Sequence, residues 1–263
     1  MKYLVLSLFL TIKAFSTPII IQYYQEIYND TSINHDILTY KLYQKYNHWH
    51  AKETKYQDAL SIVPYIKEDS IQLSQEMGDG RETIDIKLWG EKGTAPLMVM
   101  TKNYFSDKHL QSSKITFLVK EYKKWHKITP LKEIGLESFL QETMSIKDLN
   151  VLKSIGIIIF YDIQQKGNSL FLRLAINKKI INKICQHDTS LKVDNREDYL
   201  YYCESLQGKL KPPIHFIWNG QKQQLIENKT VNSKTLSAQP SIEDLYEKIK
   251  TKRTILLERY HHE

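Results

Sequence analysis

The fold is decided by residues 83–101 and 114–128, where the chain alternates with a period of two. Residues 83–88 (TIDIKL) interleave polar and apolar side chains, and a hairpin connection at residues 91–94 leads into residues 96–101 (PLMVMT). Residues 114–121 (KITFLVKE) form a third alternating run, followed by a polar turn and the short run 125–128. Alternation over four to eight residues is typical of half-buried strands. The pattern predicts an antiparallel meander.

Helices are predicted before this meander. Apolar residues recur at spacings of three and four from Ile20 to Tyr28, and again from Leu38 through Leu42 to Trp49, which predicts a second helix beginning near residue 36. Further short helices are predicted at residues 56–63 and 70–77. The first domain, residues 17–130, is therefore predicted to be α+β, with helices followed by a curved antiparallel sheet.

A second, smaller α+β region is predicted over residues 131–232. One or two helices in residues 131–154 precede strands at 156–161 and 169–176, and a helix is predicted at residues 196–206. Residues 214–218 and 224–226 form a hairpin pattern around Asn219-Gly220, a dipeptide that suits a tight turn with positive φ angles. Residues 233–263 are predicted to form a polar linker and a C-terminal helix that starts with a capping signature at residue 241.

The closing run of the first domain resembles a known family. Residues 115–128 (ITFLVKEYKKWHKI) resemble the final hairpin of small exported bacterial domains in the nuclear-transport-factor-two-like, cystatin-like superfamily. The paired aromatics Tyr23 and Tyr24 resemble those of the opening helix in the same domains. The resemblance covers about residues 18–130 and implies an exported domain of this fold, but a shared fold does not carry a function.

The first sixteen residues predict export. Lys2 supplies a positive start, residues 3–12 supply a short apolar run, and Ala14 and Ser16 lie at the two positions that a signal peptidase recognises. Cleavage is expected after Ser16, which would make the protein periplasmic or secreted, without a transmembrane segment in the mature chain. An uncleaved anchor is the alternative, although the run is shorter than the about 20 residues that a spanning helix needs.

The charge of the chain suggests a weak contact with anionic surfaces. The formal net charge is +7, with 37 basic and 30 acidic residues, and loss of Lys2 and Lys13 with the leader leaves +5. A modestly basic exported protein could touch an anionic envelope surface. Scattered lysines also form an ordinary solvated surface, which is the simpler interpretation. No nucleic-acid partner is predicted.

Cys185 and Cys203 are the two cysteines of the chain. An even number of cysteines, close together in an exported protein, predicts one disulfide. Two buried, reduced thiols are the alternative.

The candidate ligand or partner face lies on the first predicted sheet. It consists of alternating large apolar side chains, namely Trp89, Met98, Met100, Phe117 and Trp125. A part of this face left uncovered by helices would accept a protein partner or a small apolar ligand. Ordinary core packing explains the same residues.

Candidates for chemistry are weak in this sequence, and no catalytic residue, metal site or cofactor is predicted. His48 and His50 could chelate a metal on a strand, but the predicted helix would place them on different sides. Asp79, Glu82 and Asp85 could supply an acid pair only if they converge in a pocket. His261 and His262 lie at the chain end.

Two functional hypotheses follow. The first is a non-enzymatic exported binding module, of an immunity-type or envelope-associated kind, that buries the surface of an unknown partner. The alternative is an exported hydrolase of cell-wall or extracellular polymer, whose active site combines residues distant in sequence.

Overall fold

The computed structural model describes most of the chain between residues 17 and 228. The predicted leader, most of the helix predicted at 56–63, Asp79 and the predicted C-terminal helix lie outside the described residues. The described ranges are 17–30, 33, 38–45, 48–53, 62–78, 80–90, 94–106, 109–131, 134–141, 144–164 and 166–228.

The described part of the chain begins with one helix and a small hairpin. Helix α1 (Ile19–Asn29) buries Ile20, Ile21, Tyr24 and Ile27 on one side, as its spacing predicts. It is followed by the antiparallel pair β1 (Tyr40–Lys45) and β2 (His48–Glu53).

The helix predicted to begin near residue 36 is wrong, because residues 40–53 form this hairpin. Tyr40 and Leu42 are buried while Lys41 between them is exposed, so a period of two also fits the segment. Leu42 pairs across the hairpin with Ala51, which is buried as well. Cross-strand packing over a buried face overrides a helical spacing that extends over only three turns.

The predicted meander is confirmed and extends over six strands. Consecutive strands pair antiparallel in chain order from β3 to β8. The strands are β3 (Tyr65–Lys67), β4 (Ser70–Met77), β5 (Gly80–Trp89), β6 (Leu97–Ser106), β7 (His109–Glu121) and β8 (Lys124–Ile128).

Strand β4 corrects the short helix predicted at residues 70–77. It pairs with β5 along its whole length, from Ser70 opposite Lys87 to Met77 opposite Gly80. Ile71 and Leu73 are buried and Gln72 between them is less so, which is the alternation of a strand. A partner strand of matching length therefore decides the conformation here.

The second half forms a four-stranded antiparallel sheet with helices beside it. In space the strands are arranged in the order β12, β11, β10, β9. Helix α2 begins with a capping box, in which Ser145 and Asp148 satisfy each other's backbone N–H groups. The elements are α2 (Ile146–Ser154), β9 (Ile158–Ile163), β10 (Ser169–Ala175), α3 (Lys178–Cys185), α4 (Arg196–Tyr201), β11 (Ile214–Asn219) and β12 (Gln224–Glu227).

The hairpin of β11 and β12 is confirmed, but its turn differs from the prediction. Asn219 pairs with Gln224, so four residues rather than two form the connection. Gln223 has the positive φ of 49°, and Gly220 does not. Gly220 is close to the Thr94 side chain, so that a Cβ at this position would lie 3.0 Å from Thr94 Oγ1. The glycine therefore permits a close approach instead of a left-handed turn.

Both faces of the six-stranded sheet are buried. Leu118 belongs to a core shared with α1 and the β1–β2 hairpin. Its neighbour Phe117 belongs to a second core that also contains Leu172 and Trp218 of the four-stranded sheet. The edge strand β9 lies against the six-stranded sheet, and the Tyr161 backbone N–H donates to Ser113 Oγ over 3.2 Å.

The described chain is thus a mixed α+β fold, mostly antiparallel sheet. The division into regions 17–130 and 131–232 stays a prediction, and the second core takes residues from both sides of it. Among the described residues, no helix has the length and apolar character needed to cross a membrane.

The predicted disulfide is present. Cys185, the last residue of α3, is bonded to Cys203 in the π-helical turn Tyr202–Leu206, with 5.5 Å between their Cα atoms. The bond joins two segments that both pack on the second core.

We predict that replacing both cysteines (Cys185→Ser with Cys203→Ser) lowers the free energy of unfolding by about 3 kcal/mol, because the crosslink closes a short loop in the unfolded chain. Urea unfolding of the oxidised wild type and of the double variant measures this difference. Reduced wild-type protein is the matched control and should resemble the variant. Two alkylatable thiols in the denatured, unreduced protein would contradict the prediction.

Candidate ligand-binding site

The structure separates the five residues of the predicted ligand face into two groups. Trp89 and Phe117 lie in the second core, where their ring centroids are 6.5 Å apart. Met98, Met100 and Trp125 lie in the core on the opposite face, with α1. All five side chains are at most 4% exposed. They do not form one open face.

The register of the strands explains this separation. Trp89 pairs with Leu97, and Leu88 pairs with Met98. Cross-strand partners share a face and adjacent residues do not, so Trp89 and Met98 must lie on opposite faces. This outcome could have been read from the sequence, had the register of the predicted hairpin been fixed.

The candidate acid pair does not converge among the described residues. Glu82 accepts a hydrogen bond from Tyr40 Oη at 3.1 Å. Its other carboxylate oxygen forms an ion pair with Lys102 at 2.7 Å. Asp85 is three residues further along β5, on the other face, and accepts from Gln72. Burial, together with the Glu82 charge, raises the pKa of Tyr40 well above its usual range. These groups satisfy one another within the fold.

His48 and His50 do lie on a strand, β2, which corrects the helical interpretation. Their side chains therefore share one face, and the His50 ring stacks on Tyr43 at 5.6 Å between centroids. Within the described ranges, no group of three or more His, Cys, Asp or Glu side chains is arranged to hold a metal ion. His261 and His262 lie outside the described residues.

A pocket that the sequence did not predict lies beside the first residues of β11. Its volume is about 500 Å³, and its walls are residues 134 and 138, residues 211–216 and residues 227–228. The Lys211 backbone N–H donates to the Phe139 carbonyl at 2.8 Å. This bond joins residues 211–216 to the segment that contains Ser138. The Asn228 backbone N–H donates to the His215 carbonyl at 2.7 Å and holds residues 227–228 beside β11.

His215 lines this pocket, and its ring also stacks on an aromatic residue of the outer face of the small sheet. Its ring lies flat on Phe171, with 4.2 Å between centroids and 7° between planes. The Arg173 guanidinium lies over the Phe171 ring, 4.8 Å from its centroid. It also forms an ion pair with the Asp162 carboxylate at 2.9 Å. Phe171 is the direct cross-strand partner of both His215 and Asp162, so the sheet register holds the ring of His215 in place.

The two ring nitrogens of His215 are buried, and neither has a hydrogen-bond partner among the described residues. Burial lowers the pKa of His215 below its ordinary value, and the positive charge of Arg173 acts in the same direction. The imidazole is therefore neutral at neutral pH. A neutral imidazole offers one donor and one acceptor, and an unpaired buried polar group costs about 1–3 kcal/mol.

The rest of the pocket combines apolar walls with polar groups. Ile134, Pro213 and Phe216 supply the apolar part, and Ser138 supplies a hydroxyl. The exposed Lys211 and the exposed Glu227 bring opposite charges to the same pocket. Such a surface suits a small ligand, or a peptide side chain, that has an apolar body and a hydrogen-bonding group.

Sequence reasoning missed His215 because its significance depends on register. The residue was part of a predicted strand, but its partner Phe171 is more than forty positions away in the chain. A histidine between apolar strand residues was the available signal, and it does not by itself indicate a pocket.

Comparisons with known proteins add little. No protein-family model matches the chain, and no curated protein matches it. A domain of an uncharacterized protein from Porphyromonas gingivalis W83 is similar in structure, with a TM-score of 0.41 and 8% sequence identity. The match covers 72% of this chain and 79% of that one.

We predict that His215 makes the fold less stable in acid. The folded-state pKa is lowered relative to about 6.5 in the unfolded chain, so stability is complete above that value and falls as the pH decreases through it. The groups that face His215 are Arg173 and Asp162 on the sheet, and Lys211 and Glu227 at the pocket.

The measurement is the urea midpoint above and below the ordinary imidazole pKa, for wild type and for His215→Gln. The variant should lose part of the acid destabilisation, whereas His126→Gln, at an exposed position of β8, should retain it. Equal pH dependence in wild type and His215→Gln would contradict the prediction.

Proposed function

We propose that this chain is an exported, non-enzymatic binding protein that holds its ligand in the pocket at His215. The observation that carries the proposal is the pair of buried, unpartnered ring nitrogens on the wall of a pocket of about 500 Å³. A ligand that hydrogen-bonds to one of these nitrogens would remove the cost of leaving it unpaired. The site is therefore more favourable with a ligand than without one.

The rigidity of the imidazole supports this role. Stacking on Phe171, which is covered in turn by Arg173, fixes the ring before a ligand arrives. A preorganised group loses little conformational freedom on binding, so most of its interaction energy contributes to affinity. The neutral state of the ring suits a ligand that accepts or donates a hydrogen bond at neutral pH.

Export, and an envelope-associated or immunity-type role, belong to the same proposal. Support comes from the leader-like residues 1–16 and from the disulfide, a bond that persists in oxidising compartments outside the cytosol. The resemblance of residues 115–128 to exported cystatin-like domains agrees with this location.

The test uses small fragments that join an apolar ring to a carboxylate or amide group, screened for binding by saturation-transfer NMR. Fragments that bind wild type should bind His215→Ala about tenfold more weakly, the equivalent of one lost hydrogen bond of about 1.4 kcal/mol. Ser138→Phe, which places a ring in the pocket and keeps His215, should also abolish binding.

His126→Ala is the matched control, because it removes an exposed histidine that does not line the pocket, and it should bind like wild type. The proposal fails if no fragment binds, or if fragments bind both pocket variants as they bind wild type. Turnover of a wall-polymer fragment that requires His215 would instead assign the pocket to a hydrolase.

A further inference from the structure

The described residues of four hairpin connections come together at one end of the molecule, which we call the turn end. They connect β5 to β6, β7 to β8, β9 to β10 and β11 to β12. The Asn168 side-chain amide donates to the Gly90 carbonyl at 3.3 Å, and the Gln223 amide donates to the Glu121 carboxylate at 3.4 Å. Turns from the two sheets therefore form one continuous surface.

The turn end is basic. Its four described lysines, Lys123, Lys124, Lys166 and Lys222, are exposed, and none forms an ion pair within the described part of the chain. Among the described turn residues the one carboxylate is Glu121. Among the described residues, the β7–β8, β9–β10 and β11–β12 turns each contribute at least one lysine to this surface.

The turn between β7 and β8 has an unusual conformation for its sequence. Tyr122 has a φ of 49° and Lys123 a φ of 71°, and both lie in the left-handed region. A tight hairpin turn with two such residues favours Asn-Gly, since a bulky side chain at positive φ is strained. The fold thus holds a strained backbone at a site where glycine would be more stable. Strain of this kind is found most often at functional positions.

The strained turn presents an aromatic ring to solvent. Tyr122 is 100% exposed, whereas the aromatic residues Tyr24, Tyr40 and Trp125 in the adjacent core are at most 3% exposed. A tyrosine ring with one polar end is suited to the boundary between water and lipid. Lysines around such a ring are attracted to anionic headgroups, each by about 1 kcal/mol or about fivefold in affinity.

From this juxtaposition we propose that the turn end binds the surface of an anionic phospholipid bilayer. Lysines distributed over three turns match an extended charged surface rather than a single small anion. Tyr122 projects from the middle of the most basic turn, where its ring would enter the headgroup region. The pocket at His215 lies at the other end of the β11–β12 hairpin, so this inference does not depend on the pocket.

The experiment is co-sedimentation of the full chain with vesicles of phosphatidylglycerol and phosphatidylcholine, compared with vesicles of phosphatidylcholine alone. Wild type should bind the anionic vesicles, and binding should weaken at higher salt because the lysines are exposed. Every variant keeps the same first sixteen residues, so any contribution of the leader is equal among them.

The decisive variant is Tyr122→Asn with Lys123→Gly. It replaces the strained pair by the sequence that the turn prefers, so its Tm should rise by about 2–4 °C. Its binding to anionic vesicles should nevertheless fall at least about fivefold, since it loses one lysine and the ring. If Tyr122 and Lys123 had only a structural role, a variant with a higher Tm would not bind the vesicles more weakly.

Lys124→Gln with Lys222→Gln removes two charges from the turn end without changing the strained pair, and should weaken binding about 25-fold. Lys179→Gln with Lys183→Gln on α3 removes two exposed charges elsewhere and should bind like wild type. The proposal is overturned if the variants at both places bind alike, or if wild type binds both kinds of vesicle equally. It is also overturned if a soluble anionic polysaccharide displaces the protein from the vesicles and if the same variants bind that polysaccharide more weakly than wild type does.

Discussion

The structure depends on the burial of both faces of the six-stranded sheet. Neighbouring residues of β7 point into different cores, Phe117 toward the small sheet and Leu118 toward α1. An antiparallel sheet commonly has one solvated face, which gives a polar side to each strand. Here the apolar residues of the central strands occupy both sides, and so the chain needs a covering layer on each. Helix α1 with the first hairpin supplies one layer, and the second half of the chain supplies the other.

This constraint fixes where the two proposed binding surfaces lie. The edge strand β9 is held against the large sheet by the Tyr161 N–H and by the packing of Phe160 on Phe105. Once β9 is placed, the β9–β10 and β11–β12 turns lie at the same end of the molecule as the β5–β6 and β7–β8 connections of the large sheet. The start of β11 and the end of β12 then lie at the opposite end, where the pocket forms. One packing arrangement therefore produces two separate surfaces.

The sequence predicted the elements in which local pattern and packing agree. Helix α1, the strands from β5 to β8 and the β11–β12 hairpin carry clear periodicity, and the cysteine pair was found by its number and spacing. The prediction was wrong at residues 40–53 and 70–77, where apolar residues fit both a helical and a strand period. In such segments the partner strand decides, and the partner is not visible in the segment itself. The resemblance to cystatin-like domains stays a prediction.

The candidate site could not be predicted because it consists of relationships between distant residues. His215 becomes distinctive only when the register places Phe171 beneath it and when Asn228 and Lys211 close the pocket around it. The turn end is similar, since its lysines are scattered along the sequence and look like an ordinary solvated surface. Local sequence does mark one position, because Tyr122-Lys123 occupies a turn that prefers Asn-Gly. A residue pair that opposes the conformation it must adopt, and that exposes a whole aromatic ring, is better explained by an external contact than by the stability of the fold.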